Sequence, residues 1–448
     1  MSIFKKYSYW IHSGKYTAIQ KFSVLGMGIV SFMLLTRVLG PEGFGVWGLF
    51  LTISSITETA RTALIKNAFI RFMHQTPEEE HGNLQTGAWI LSLSISIALA
   101  LIFLLAAYSV SQWLNAPELG NMLQWYAITL LMTVLFSQCE MLLNAKMDFR
   151  GVCYMYVIRQ GLLLAAIGAC ALANYKITPG TLSLFYLVSV IAGGLTGALF
   201  SRPYFRWDLT GYKPWIGKLW RFGRYVFGNN VSSLLFRSTD NFITSNMFGT
   251  AVSAYYNACL RIGNLVDMPS QVLGDVLFPK AAQYNSSDRG AIKHMYERTV
   301  GAILVFSIPA LLVLILLPSL ILHFLAGGKF MMAAPVLRIT AFFGFTLPFL
   351  KQFGTIMDAT GHPDTNFRVM FLALCIDILA NLLGVHFFGI IGAAIGTATT
   401  YFIIFVITQT ILYKRFGVEV LNIFRNTFSL YKELFFHGKS LLKLKETR

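Results

Sequence analysis

The sequence predicts an all-α, polytopic membrane protein of about twelve transmembrane helices in two six-helix bundles, with both termini in the cytoplasm. Composition is the first reason. Of 448 residues, 12% are charged and 55% hydrophobic, and the mean hydropathy is +0.61. Soluble domains carry roughly 25% charged residues. Pattern is the second reason. Continuous apolar runs of about 20 residues, enough for a helix to cross the hydrocarbon core, recur along the chain. A β-barrel would show alternating segments of about ten residues instead. The third reason is the placement of the basic residues, counted below.

The runs fall at roughly 17–39, 44–66, 85–108, 121–145, 152–173, 181–201, 222–248, 252–279, 299–325, 333–358, 367–388 and 392–413. Between the first two lies TRVLGPEGFGVWGLF, Thr36 to Phe50. Pro41 cannot continue a helix, and glycines permit a tight reversal. Gly40, Pro41, Gly43 and Gly45 are therefore expected to form a hairpin. Gly43 and Gly45 also let two helices start close together.

With the N-terminus inside, the inner segments hold 25 Lys and Arg, and the outer loops hold two, Lys176 and Lys329. Basic residues concentrate on the cytoplasmic side. Single cysteines at Asn115 and Asn174 should then label from outside, and one at Ser287 should not. The basic stretch 202–221 reads as a linker between an N-terminal bundle (1–201) and a C-terminal bundle (222–413). Residues 414–448 form a basic tail, either an amphipathic helix on the anionic inner leaflet or a frayed end.

This topology accounts for the net charge of +16, so nucleic acid is not an expected partner. The five cysteines lie within or beside apolar runs and form no CxxC or Cys/His cluster. No disulfide, metal site or cofactor is expected. The N-terminus shows no cleavable signal. GGLTG (193–197) and GIIGAAIG (389–396) read as helix-packing surfaces, because no phosphate-loop Lys-Ser/Thr follows them. With no catalytic triad or nucleotide motif, a transporter is expected rather than an enzyme.

A repeat supports the two halves. An offset of 209 residues brings Gly40 onto Gly249, Gly45 onto Ala254, Trp47 onto Tyr256 and Glu58 onto Asp267. Both halves would start inside, as parallel repeats, and a doubled bundle with a cleft is a transporter architecture.

The segment LLTRVLGPEGFGVWGLFLTISSI resembles the first hairpin of the Wzx-type polysaccharide and O-antigen flippases. LNAKMDFR (143–150) and DATGHPDTNFR (358–368) resemble that family's cytoplasmic turns. The wider superfamily, with the MATE multidrug exporters and the lipid II flippase, shares a two-bundle fold. The resemblance implies a bacterial inner-membrane protein that moves an undecaprenyl-pyrophosphate-linked oligosaccharide from the inner to the outer leaflet. It implies alternating access, a cell-envelope role such as lipopolysaccharide synthesis, a coupling proton or sodium, and a polysaccharide polymerase complex as partner. The alternative is a MATE-like exporter of cationic drugs, which would need an anionic cleft.

Charges inside a bilayer are costly and mark candidate sites. Arg237 lies about 20 Å along its span, near the midplane. Arg237, Arg261, Arg61, Arg159 and Arg338 are the candidate cations for the pyrophosphate, because the guanidinium meets phosphate oxygens with two parallel bonds and stays protonated. Asp240, Glu58, Asp267 and Asp377 are candidate coupling groups, since buried carboxylates can titrate near neutrality. The plainer readings are i,i+3 ion pairs, Arg237–Asp240 and Glu58–Arg61, and snorkelling at the helix ends. The hairpin glycines would close the first two spans where the outer side must seal.

Overall fold

The computed structural model describes residues 3–173, 175–281 and 288–446. Asn174 and Ser287, two of the labelling positions, lie outside the described residues. Among the described residues the structure is helical and contains no strand. The helices are α1 (Ile3–Gln75), α2 (His81–Trp113), α3 (Pro117–Ala145), α4 (Phe149–Leu172), α5 (Pro179–Ser201) and α6 (Lys213–Phe236). They continue as α7 (Thr239–Phe248), α8 (Thr250–Val266), α9 (Met268–Ala281), α10 (Arg289–Leu316) and α11 (Pro318–Leu325). The last are α12 (Ala334–Gly344), α13 (Leu347–Ala359), α14 (Pro363–Phe388), α15 (Ile390–Phe416) and α16 (Val420–Glu446).

Local chemistry sets these ends. The Thr178 side chain and Thr181 form a reciprocal capping box at the start of α5, with Pro179 in the first turn. Asp148 accepts from Gly151 N at the start of α4. Gly417, left-handed at φ 71°, ends α15.

Among the described residues, eight helices are long and apolar enough to cross a membrane, or nine if the bent pair 328–342 and 347–359 is one span. The chain is thus a multi-pass membrane protein. The expected twelve do not appear as twelve unbroken helices. The first candidate, Ile19–Gln75, has 57 residues, about 85 Å at 1.5 Å each, far more than the ~30 Å core. It is broken at Gly40 (φ 69°, ψ −178°), with Pro41 next. Phe32 and Phe44 rings stand 5.5 Å apart, where twelve residues of straight helix would separate them by about 18 Å. The chain reverses there. The runs expected at 222–248 and 252–279 are each split, at Arg237–Ser238 and at Asp267.

The chain forms two compact units. Unit 1 comprises residues 1–234, 244–254 and 325–329, and unit 2 comprises 235–243, 255–324 and 330–448. This differs from the expected linker at 202–221. Trp215 and Leu219 of that stretch sit in the unit 1 core with Leu64, Phe69 and Leu84. Its backbone is tied to α2: Arg206 N donates to Gln85 Oε1 (3.0 Å), Asp208 N to Thr86 Oγ1 (3.1 Å) and Gly211 N to Asn83 Oδ1 (2.7 Å). Hydrogen bonds from Thr210 hold the Asp208 carboxyl below its ordinary range.

In unit 1, α3 is the central helix, with 78% of its apolar window buried. Trp47, Phe50, Tyr126 and Tyr186 form an aromatic cluster, with Phe50 5.6 Å from each tyrosine ring. In unit 2, Tyr296, Val300, Phe349, Phe353, Ala373, Leu412 and Ile423 form the core. The glycine run 389–396 packs α15 onto α14: Gly392 faces the Gly384 backbone, leaving no room for a Cβ.

The tail is helical, and residues 420–431 lie along α10. Glu419 N donates to Glu297 Oε1 (2.9 Å), Thr427 Oγ1 to Gly301 O (3.2 Å) and Tyr431 OH to Val305 O (2.7 Å). The partners rise together along both chains, so α16 runs parallel to α10. Its polar side chains find backbone acceptors there, and Ile423 is fully buried.

Candidate functional site

In unit 2 the helices break where polar residues gather. Arg237–Ser238 separates α6 from α7, Asp267 separates α8 from α9, and Phe345–Thr346 separates α12 from α13. Arg237, Asp267, Gly344 and Leu347 all border one cavity. Irregular backbone at membrane depth is tolerated where it lines a cavity, and broken helices build substrate and ion sites in transporters.

Arg237 Nη2 donates to Asn264 Oδ1 at 2.7 Å. The expected i,i+3 pairing with Asp240 requires a continuous helix, and the break at Arg237 removes it. Asp240 is 4% exposed; its Oδ1 accepts from Asn241 N at 3.0 Å. Asp267 Oδ2 pairs with Lys351 Nζ and also accepts from Gln271 Nε2 (3.4 Å). Its Oδ1 is buried without a hydrogen-bond partner. Deeper in unit 2, Asp377 is fully buried. Asn381 Nδ2 donates to Asp377 Oδ1 (3.0 Å) and to Thr397 Oγ1 (3.1 Å). The other Asp377 oxygen has no hydrogen-bond partner. Thr239, Thr397 and Thr400 stand around this carboxyl, with Asp240 near enough to act on it. Thr397 and Asp240 also line the cavity, so the buried acid adjoins it.

Unit 1 holds a separate polar cluster. Tyr186 OH donates to Glu58 Oε1 at 2.7 Å, and Arg159 Nη2 donates to Tyr186 OH at 2.6 Å and reaches Glu58 at 3.5 Å. The Arg159 guanidinium lies over the Phe136 and Tyr186 rings at 5.0 and 5.1 Å. Arg61 is 2% exposed and bonds Ser92 Oγ and Thr133 O, each at 3.2 Å. The expected Glu58–Arg61 pair is thus replaced by Glu58–Arg159, because α4 and α5 bring better-placed donors to the acid.

The five arginines fall in both units, Arg61 and Arg159 in unit 1 and Arg237, Arg261 and Arg338 in unit 2. Arg237 lines the unit 2 cavity. Leu260, Gly263, Asn264 and Asp267 line it at i, i+3, i+4 and i+7, and Arg261 stands off that stripe. Arg338 is exposed, and its Nε donates to Ile315 O (3.1 Å). Arg61 is enclosed in unit 1, and Arg159 is held by Glu58. The cavity carries both signs, with Arg237 beside Asp240 and Asp267. Lys351, a charge expected near the end of its span, and Asn264, Tyr186, Asn381 and Thr397, which were not among the expected site residues, complete these networks. Asn264 was within reach of sequence reading, since it lies three residues before Asp267 on one helical face. Tyr186 sits in an apolar run with nothing to mark it.

Gly40 (φ +69°) and Gly249 (φ +83°), paired by the 209-residue offset, both adopt the left-handed region that glycine favours. A Cβ on Gly45 would overlap the Thr250 carbonyl, whereas one on Gly43 would meet only the Leu39 side chain at 3.2 Å. Close approach is therefore needed at Gly45. The same offset pairs Glu58 with Asp267, and each carboxylate holds a cation.

Comparison with known proteins agrees with this architecture. The inward-facing conformation of a multidrug resistance MATE family transporter of the MOP superfamily superimposes with a TM-score of 0.73 over 90% of this chain and 98% of that one, at 14% identity. The lipid II flippase MurJ, in an inward closed conformation, gives 0.69 over 94% and 92%, also at 14% identity. At such identities the likeness is one of fold. Among curated proteins, the lipopolysaccharide biosynthesis protein WzxC of Escherichia coli is 22% identical over 405 residues, 90% of this chain and 79% of that protein. The succinoglycan biosynthesis transport protein ExoT of Rhizobium meliloti is 23% identical over 73% of this chain and 64% of its own length. The description "polysaccharide biosynthesis protein" belongs to the family matching residues 34–335. That match covers most of the chain, including the opening hairpin and three sides of the unit 2 cavity, and the chain belongs to the polysaccharide biosynthesis protein family.

Proposed function

We propose that this protein is a flippase that carries an undecaprenyl-pyrophosphate-linked oligosaccharide from the inner to the outer leaflet of a bacterial cytoplasmic membrane, for a surface polysaccharide such as O-antigen. In this reading the chain crosses twelve times with both termini inside and works by alternating access. The carrying observation is Arg237. It lies at a helix break on a cavity wall, and its hydrogen bond goes to a neutral amide. A pyrophosphate oxygen offers a charged acceptor, a stronger partner than Asn264. The exchange needs no buried ion pair to be broken first.

Coupling falls to the acids. Asp377, with one buried oxygen unpartnered among hydroxyls, and Asp240 beside it suit a proton or sodium ion. Asp267–Lys351 and Glu58–Arg159 tie neighbouring helices together within each unit. The relatives named for lipopolysaccharide and succinoglycan biosynthesis support the substrate class.

One observation favours the exporter reading: two acids, Asp240 and Asp267, share the cavity with a single arginine. Proteoliposomes decide between the two. Export of a lipid-linked glycan without export of cationic dyes supports the flippase. The reverse result discards it.

A further inference from the structure

We propose that an apolar groove of unit 2, between α10, α12 and α15, receives the polyprenyl chain of the substrate while its headgroup occupies the Arg237 cavity. This rests on the flippase reading and adds the path of the lipid. The groove is lined by Ile308, Leu312, Ile315, Phe342, Phe402 and Phe405, with Thr346 its one polar side chain. Leu311 and Ala341 line both the groove and the cavity. A cavity carrying Arg237, Asp240 and Asp267 and an apolar groove therefore share one thin wall, as an amphiphile with a charged end and a long hydrocarbon end requires. Leu311 packs where a Cβ on Gly344 would stand, 2.6 Å from its Cδ2, and α12 ends at Gly344. A substrate whose pyrophosphate reaches Arg237 can thus pass its chain over Leu311 and Ala341 into the groove. It need not drag that chain past Arg237, Asp240 and Asp267.

Lipid tails are as apolar as the groove, so burial from lipid supplies little drive. The groove orients the chain and the headgroup supplies the affinity. A free polyprenol is accordingly expected to occupy it no better than a phospholipid does.

The test is photocrosslinking with the full chain in phospholipid vesicles containing radiolabelled undecaprenyl-pyrophosphate oligosaccharide. A benzophenone side chain is placed in the groove (Phe342→p-benzoylphenylalanine), on the cavity wall (Thr340→p-benzoylphenylalanine), and on an exposed position of α14 (Leu382→p-benzoylphenylalanine). Phe342 is 68% exposed and Leu382 47%, so neither substitution disturbs a packed core. The expected result is label at Thr340 and Phe342, with Phe342 at least fivefold above Leu382. Excess unlabelled substrate should compete the Phe342 label away, and excess polyprenol should not. Label at Thr340 with Phe342 no higher than Leu382 overturns the groove and leaves the flippase reading standing. Absence of label at both Thr340 and Phe342 overturns the two together.

Discussion

Replacing Arg237 tests the proposed chemistry most directly. In the resting structure the side chain makes one charge-assisted bond, to Asn264 Oδ1 at 2.7 Å. A hydrogen bond to a charged group contributes about 1.5–3 kcal/mol net. If that bond passes to a pyrophosphate oxygen, Arg237→Ala should lower substrate affinity by about 10- to 150-fold, at ~1.4 kcal/mol per decade. Asn264 lies exposed on the cavity wall, so water can replace its lost donor and the cost to folding is about 1 kcal/mol or less. Arg237→Lys retains a point charge without the planar fork and should recover part of the activity. Asn264→Ala is the control, because it removes the resting partner and leaves the guanidinium for the substrate. The assay is surface display of glycan in a strain lacking its own flippase, with protein abundance measured in parallel. Near-wild-type display by Arg237→Ala at equal abundance would refute the reasoning. So would an equal loss from Asn264→Ala and Arg237→Ala, since the pair would then be structural.

Four further outcomes are expected. Gly45→Val should sharply reduce the folded protein in membranes, because its side chain would enter the Thr250 carbonyl, while Gly43→Ala should change the thermal midpoint little. Arg159→Met should cost about 1–3 kcal/mol of stability, since it strips donors from the half-buried Glu58; Glu58→Gln with Arg159→Met should recover most of it in a thermal melt. Truncation after Gly417 should destabilise unit 2 and lower its melting temperature, because Ile423, Thr427 and Tyr431 would leave α10; unchanged melting would show that the tail is dispensable. Asp377→Asn should abolish dependence of transport on the coupling ion gradient while leaving lipid-linked glycan binding intact, and retained gradient dependence would place coupling elsewhere.

Composition and apolar pattern were enough to identify the solvent of this protein and the rhythm of its helices. Hydrocarbon admits only backbone whose hydrogen bonds close within the segment, so apolar run length alone located most of the helices. The Gly40–Pro41 reversal was equally legible, because a positive φ before proline leaves few alternatives. Gly40 and Gly249, which the offset pairs, share a positive φ, 69° and 83°. Which charges meet depended on packing. Local spacing assigned Arg237 to Asp240 and Arg61 to Glu58. A break in one helix and two donors from distant helices reassigned all four residues. Arg159 lies 101 residues from Glu58, and Lys351 lies 84 from Asp267; no periodicity connects such pairs. The tail shows the same limit. Its amphipathic pattern fits a lipid surface and the flank of α10 equally well, because a half-apolar helix needs an apolar neighbour and the sequence does not name it. The free energy that selects the neighbour comes from Glu297 and the carbonyls of Gly301 and Val305, which only packing brings within reach.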